Sequence, residues 1–159
     1  MSDWLEYMDS NFPIVYKQSS LTKDSLVFFL DKISEEYTPP LRTVVCLSDY
    51  AEKILQNGVI FEAWEGNNLI GIVAGYFNDI QNSFAFITLV YVIPERRKNN
   101  IGVHLMNNAI SFAKERHLNN MHLSVKVDNS RAQTFYKKLG FYIIGQSVDS
   151  YNMRKELFV

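Results

Sequence analysis

The chain has 159 residues, of which 47% are hydrophobic, 14% aromatic and 21% charged, the balance of one globular domain and not of a disordered or fibrous chain. Sixteen Lys and Arg against seventeen Asp and Glu leave a net charge of −1, so no broad positive field exists to draw the chain onto nucleic acid or an anionic membrane. The single Cys46 excludes an internal disulfide, and the longest apolar stretch, Phe84 to Pro94, is about half the length of a membrane helix. Met1 to Glu6 show neither the basic start nor the apolar run of a secretion signal, so the expected location is cytoplasmic.

No repeat or linker divides the sequence, which reads as one domain over residues 1–159 with a short extension at 1–11. Ile14 to Lys17 reads as a strand. From Thr22, Leu26, Phe29, Leu30 and Ile33 fall at helical spacing, and Pro39-Pro40 forbids continuation into what reads as a stiff loop. Ser48 is placed to cap a second helix with Tyr50, Ala51, Ile54 and Leu55 on one face, ended by Gly58. Val59 to Glu65 and Leu69 to Asn78 are β-rich runs joined by Gly66-Asn67-Asn68, a hairpin. Phe84 to Ile93 is almost continuously apolar, as expected of a central strand, and Pro94 stops it. Ile101, Leu105, Ala109, Phe112 and Ala113 then form a helical stripe that reaches His117. Met121 to Val127 is a strand, Ala132, Phe135, Tyr136 and Leu139 share one face of a short helix ended by Gly140, and two strands near 141–147 and 151–157 close the chain. The order β-α-α-β-β-β-α-β-α-β-β predicts an α/β (α+β) fold, a mixed sheet of about seven strands flanked by about four helices. Residues 84–127 supply its strand, crossover helix and parallel strand.

The junction from Pro94 to Val103 carries the first chemical signal, because a central strand passes through a basic turn straight into a helix. Unpaired N–H groups and the positive end of the macrodipole make a helix start suited to anions. Asn100 tolerates a left-handed backbone, Gly102 has no Cβ, and Arg97 and Lys98 offer charge-assisted bonds. Read without a ligand, the same residues are a solvated turn with ordinary capping. Metal and P-loop chemistry find no motif: there is no Gly-rich loop ending in Lys-Ser/Thr and no His-Glu-x-x-His, and His104, His117 and His122 lack i, i+4 spacing, so no metal is expected.

Val92 to Gly102 together with Val127-Asp128-Asn129-Ser130-Arg131-Ala132-Gln133-Thr134-Phe135-Tyr136 and on to Phe141 resemble the GNAT superfamily of acetyl-CoA-dependent N-acetyltransferases. The resemblance in element order covers most of residues 14–157. In that family a Gln/Arg-x-x-Gly-x-Gly/Ala turn cradles the coenzyme A pyrophosphate. Arg97, Lys98, Asn99, Asn100, Ile101 and Gly102, followed by Val103, fit this turn with Asn100 in place of the first Gly. The resemblance further implies that the strand ending at Ile93 splays from 121–127 and that the pantetheine arm pairs with Val90, Tyr91 and Val92. It implies that Asn129 touches the arm, although Asn129 reads equally as a helix cap. It also implies that Tyr136, otherwise a packing residue, protonates the departing thiolate, with a main-chain N–H near Val92 holding the oxyanion.

The base stays open among Glu62, Asp79, His122 and water, since Phe84 to Ile93 contains no carboxylate. Cys46 lies away from both motifs, so no covalent intermediate is expected. The acceptor pocket is expected from Pro39 to Arg42, Tyr50, Tyr76 and Asn78. Its aromatic and neutral-polar lining favours a small primary amine such as an amino sugar or an amino-acid derivative. The alternatives are a coenzyme-A-binding sensor without turnover, a protein N-acetyltransferase, and another acyl donor such as succinyl-CoA. The closing strands offer Tyr142 and Tyr151 for pairing with a second copy.

Overall fold

In the computed structural model, which describes residues 12–158, the chain runs as strand β1 (Ile14–Gln18), helix α1 (Lys23–Ile33), a 3₁₀ turn (Ser34–Glu36), α2 (Leu41–Val44) and α3 (Leu47–Asn57). There follow β2 (Gly58–Glu65), β3 (Asn68–Asp79), β4 (Phe84–Val92), a second 3₁₀ turn (Pro94–Arg96), α4 (Ile101–Glu115), β5 (Asn120–Lys126), α5 (Ser130–Lys138), β6 (Tyr142–Gln146) and β7 (Ser150–Glu156). The extension read at 1–11 lies outside the described residues. The helix count rises from four to five because the segment after Pro40 closes one further helical turn, with Val45 N–H donating to Leu41 O at 3.0 Å. Ser48 does not cap α3; Cys46 is the cap residue and its carbonyl accepts Tyr50 N–H at 2.9 Å, which leaves Ser48 inside the first turn.

The sheet order is β1-β2-β3-β4-β5-β7-β6, antiparallel throughout except for the parallel β4–β5 pair. Burial separates two layers. On one face Leu26, Phe29 and Leu30 of α1 and Ala51 and Ile54 of α3 pack on Ile60, Ile72, Leu89 and Tyr91. On the other, Ile101, Leu105, Ala109 and Ala113 of α4 and Tyr136 of α5 pack with Phe61, Val73, Leu123 and Met153. The spacing of apolar residues in the sequence therefore corresponds to the buried faces of α1, α4 and α5. Tyr151 lies on β7, one strand in from the edge, and packs against the core, so of the two exposed-aromatic expectations only Tyr142 stands on the edge strand β6.

Two irregularities in strand β4 shape the sheet around it. Its register with β3 slips between Ala74 and Gly75, so Leu89 faces Ala74 and Ile87 faces Gly75, which leaves Thr88 as a bulge. Side chains alternate along a strand, and one extra residue exchanges their faces: Ala85 and Ile87 belong to the α4 layer, whereas Leu89 and Tyr91 belong to the α1–α3 layer. Tyr50 on α3 holds the bulge, its hydroxyl 2.9 Å from both the carbonyl and Oγ1 of Thr88. The second irregularity is that parallel pairing with β5 covers only Phe84–Asn120, Ala85–Met121 and Phe86–His122. Beyond Phe86 the two strands diverge.

The turn after β4 is fastened to the end of β2, two strands away along the same end of the sheet. Arg96 Nε and Nη2 reach the Glu65 carboxylate at 3.0 and 2.6 Å, a two-point contact with a buried carboxyl group. The hydrogen bonds from Arg96 hold the Glu65 carboxyl below the usual carboxylate range. A depressed folded-state value means stability that is present above the unfolded Glu value of about 4.3 and is lost as pH falls through the folded value. Glu65→Gln is expected to lower unfolding stability by about 1–2 kcal/mol at pH 7. The difference from wild type should vanish in acid, and urea melts across the pH range will measure it.

Candidate active site

The turn that leaves β4 ends at Asn100, whose φ of 60° and ψ of 16° place it in the left-handed region. Asn enters that region at less strain than a branched residue, which explains its presence where a Gly is otherwise expected. The first N–H bonded within α4 is that of His104, to Asn100 O at 3.0 Å, and no side chain caps the helix. The N–H groups of Ile101, Gly102 and Val103 therefore point out of the helix start together, at the positive end of its dipole. A Cβ on Gly102 would meet the Phe135 ring at 3.2 Å and Val92 at 3.7 Å, so this glycine lets the start of α4 press against α5.

Between the diverging strands lies a cavity of about 660 Å³, within the range of roughly 300–1,000 Å³ usual for small-molecule sites. It runs from Asn100, Ile101, Gly102 and Val103 along Val90 to Val92 and reaches Tyr136. Ile93 N–H bonds to Ile70 O at 2.9 Å, which fixes the alternation of the β3–β4 ladder. By that alternation Tyr91 spends its main-chain groups on β3, and Val90 and Val92 turn theirs toward the gap. This corrects the expectation for Tyr91, whose main-chain groups are not available to a pantetheine arm although the residue borders the cavity. Asn129 Oδ1 accepts Ala132 N–H at 3.1 Å, which makes it the cap of α5, and the residue also borders the cavity.

The side chains beside the helix start divide. Lys98 borders the cavity, and Asn99 is exposed and does not. Arg97 does not extend over the helix start. Its Nε donates to Val92 O at 2.8 Å and its guanidinium lies 5.4 Å from the Tyr91 ring centroid, folded back along the end of β4.

Tyr136 comes from the α4–α5 layer, wedged edge-on between Phe135 and Phe141 at 5.4 and 5.9 Å. Burial pushes its phenol well above the ordinary value, so it is a neutral O–H at any physiological pH. Its hydroxyl has no hydrogen-bond partner among the described residues and borders the cavity. Because the sheet is open here, residues of the opposite layer meet it. Tyr37 borders the same cavity, and its phenol is also held far above its ordinary value, first by burial and then by the phenols of Tyr50, Tyr136 and Tyr91, with Arg97 acting in the other direction. Tyr37 also borders a second cavity of about 520 Å³, shared with Glu36, Pro39, Leu41, Tyr91 and Asp128. Nothing in the sequence singles out Tyr37 and Glu36, since they follow the last helical repeat of α1 and belong to no motif.

Several expected participants lie elsewhere. Glu62 is fully buried on β2, where its carboxylate accepts from Ser20 N–H at 2.8 Å, from the Ser20 hydroxyl and from Trp64 Nε1 at 2.9 Å. It fastens β1 to β2. Asp79 holds the turn after β3 through Asn82. His122 pairs with Phe86 at the closed end of the gap and stacks on Phe84 at 4.6 Å. None of the three borders either cavity. Of the acceptor residues, Pro39 and Leu41 border the second cavity, but Arg42 is paired with Asp31 and Glu35 and Tyr50 is bound to Thr88. Tyr76 and Asn78 lie toward the closed end, where β3 faces the start of β4. Exposed Cys46 borders neither cavity.

Comparison with known proteins bears on this arrangement. A model described as the acetyltransferase (GNAT) family matches residues 25–141. An uncharacterized N-acetyltransferase of Methanocaldococcus jannaschii is 41% identical over 76 residues, which is 45% of this chain and 34% of that protein, so the match spans about a third of the relative's length. Among solved structures, a PaiA N-acetyltransferase from Thermoplasma acidophilum in complex with coenzyme A has a TM-score of 0.71 at 19% identity, covering 91% of this chain and 99% of that one. A GNAT acetyltransferase from Staphylococcus aureus has a TM-score of 0.75, also at 19% identity and with the same coverage. At that identity the two structures establish the fold.

The geometry at Asn100 makes one direct prediction. Asn100→Gly should leave stability close to wild type, whereas Asn100→Val, a β-branched residue forced to positive φ, should lose about 1–2 kcal/mol in a denaturant melt. Equal melts for the two variants would show that the turn relaxes out of the left-handed conformation.

Proposed function

Because the chain belongs to the acetyltransferase (GNAT) family, we propose that it binds acetyl-CoA along the gap between β4 and β5 and transfers the acetyl group to the primary amine of a small molecule. The observation that carries this reading is one continuous cavity with two kinds of unspent backbone group. At one end are the outward N–H groups of Ile101, Gly102 and Val103, suited to a diphosphate. Along its wall are the main-chain groups of Val90 and the N–H of Val92, spaced to pair with the amides of a pantetheine arm. Asn100 and Lys98 flank the helix start, and Asn129 stands across from β4.

The chemistry follows from the same wall. The Val92 N–H donates to the developing oxyanion as the amine attacks the thioester carbonyl. Tyr136, kept neutral by burial, supplies a proton to the departing sulfur. Attack is direct, within a ternary complex, and Cys46 takes no part. Pro39, Leu41, Tyr37 and Tyr91 around the second cavity suit a compact amine such as an amino sugar or an amino-acid derivative better than a long polybasic tail.

A second reading, coenzyme A binding without turnover, is favoured by one observation: Glu62, Asp79 and His122 each lie away from both cavities. Calorimetry with acetyl-CoA, followed by thiol release with glucosamine, an amino-acid amide, spermidine and a short peptide, separates the two. Transfer is expected with one of the small amines; binding without thiol release would favour the sensor. Tyr136→Phe should lower kcat by about 10²-fold or more and leave acetyl-CoA affinity within about twofold. Unchanged turnover would remove Tyr136 as the acid.

A further inference from the structure

Acetyl transfer to an amine needs a proton acceptor as well as a donor. At pH 7 an alkylamine with a reference pKa of about 10.4 is neutral in fewer than about one molecule in 10³ and an α-amino group of about 7.7–8.0 in roughly one in ten, and only the neutral form has a lone pair for attack. Glu62, Asp79 and His122 border neither cavity, so an acceptor side chain, as distinct from water, has to come from the residues that do.

We infer that the Tyr91 hydroxyl, backed by the Glu36 carboxylate, is the proton-accepting end of this site. The bulge at Thr88 turns Tyr91 into the α1–α3 layer, where its ring packs edge-on against Phe29 at 6.1 Å. Glu36 closes the 3₁₀ turn that follows α1 and faces the Tyr91 hydroxyl, and both residues border the second cavity. That cavity is continuous with the gap, because Tyr37, Val90 and Tyr91 border both. Tyr136 enters the gap from the opposite layer. The open sheet thus sets a proton donor and a proton acceptor on its two sides, with the path of the thioester along Val90 and Val92 between them.

The charged groups facing the pair are Arg97 and Glu95 from the turn after β4 and Lys126, Asp128 and Arg131 from the β5–α5 side. Lys126 is paired with Asp149. Burial, followed by the Glu36 charge, raises the Tyr91 phenol above its ordinary value, which suits a relay that stays protonated between turnovers. Asp128 lies on the turn after β5, across the cavity from Tyr91, so Glu36 is the carboxylate in line.

The step balances. One ammonium proton passes to the Tyr91 oxygen as the Tyr91 proton passes to Glu36. The nitrogen lone pair then forms the N–C bond with the thioester carbonyl carbon. As the C–S bond breaks, sulfur leaves with its electron pair and takes a proton from Tyr136. The second amine proton, lost as the amide forms, replaces the one Tyr136 gave, and Glu36 returns its proton to water.

This role rests on the acetyl-transfer reading, and its test separates the two. Glu36→Gln, Glu36→Asp and Tyr91→Phe are assayed with the fastest amine of the panel across pH, alongside acetyl-CoA calorimetry. Glu36→Gln should lower kcat/KM by about tenfold or more at pH 7, with the deficit closing as pH rises through the pKa of the amine itself and the free amine loses its own proton. Tyr91→Phe should behave alike and Glu36→Asp should recover part of the loss, while acetyl-CoA affinity holds in all three. A Gln variant within about threefold of an active wild type, with the same pH profile, overturns the assignment alone. A wild-type chain that binds acetyl-CoA and releases no thiol with any amine overturns the acetyl-transfer reading, and this role with it.

Discussion

The site depends on a pairing that stops. Strands β4 and β5 share three parallel residue pairs and then separate, although both continue for several residues. Buried N–H and C=O groups are almost always bonded, so a strand edge held open inside a sheet is a specific and expensive feature of a fold. Two devices hold it open. The bulge at Thr88 disturbs β4 one step past the last pair and is locked by the Tyr50 hydroxyl. At the far end Arg97 covers the Val92 carbonyl, and Arg96 ties the next turn to Glu65.

An opening in a two-layer fold has a consequence that an ordinary surface cleft lacks. Side chains rooted in opposite layers, which a closed sheet would separate, reach the same space. Tyr136 stands in the α4–α5 layer and Tyr37 and Tyr91 in the other, yet the Tyr136 phenol helps raise that of Tyr37. The Thr88 bulge contributes twice, since the residue it inserts is also what turns Tyr91 away from α4 and toward Glu36. Without that one-residue slip, the ring of residue 91 would sit in the α4 core.

What the sequence made legible follows from which interactions are local. The apolar stripes Leu26-Phe29-Leu30-Ile33 and Ile101-Leu105-Ala109 are set by a fixed helical period, and each is a buried face in the fold. The turn at 97–102 was legible because the demand for a left-handed residue is written in the chain as Asn100. The base candidates failed for a non-local reason. Glu62 reads as a spare carboxylate in the chain, and only the packing of β1 on β2 brings Ser20 to occupy it, beside Trp64 of its own strand. Glu36 and Tyr37 stay hidden because nothing in their neighbours signals that the segment before Pro39 lies across the open end of the sheet. Tyr76 and Asn78 were placed at the wrong end because strand direction, and so which end of the gap is closed, is a property of the assembled sheet.

The distribution of charge in the gap completes the physical account. Burial drives the phenols of Tyr37 and Tyr136 so far from ionisation that they act only as neutral donors, and Tyr50, pushed up to about 12, already spends its proton on Thr88. Charge is therefore carried at the margins, by Lys98 beside the helix start and by Glu36, Asp128, Arg97, Lys126 and Arg131 around the second cavity. An anionic group is drawn to the helix start, and charges of both signs stand around the second cavity, with an aromatic passage between them where hydrogen bonds act with little screening. Polarity of that kind orients a substrate pair before any bond changes, and it arises from the same divergence of β4 and β5 that exposes the strand edge.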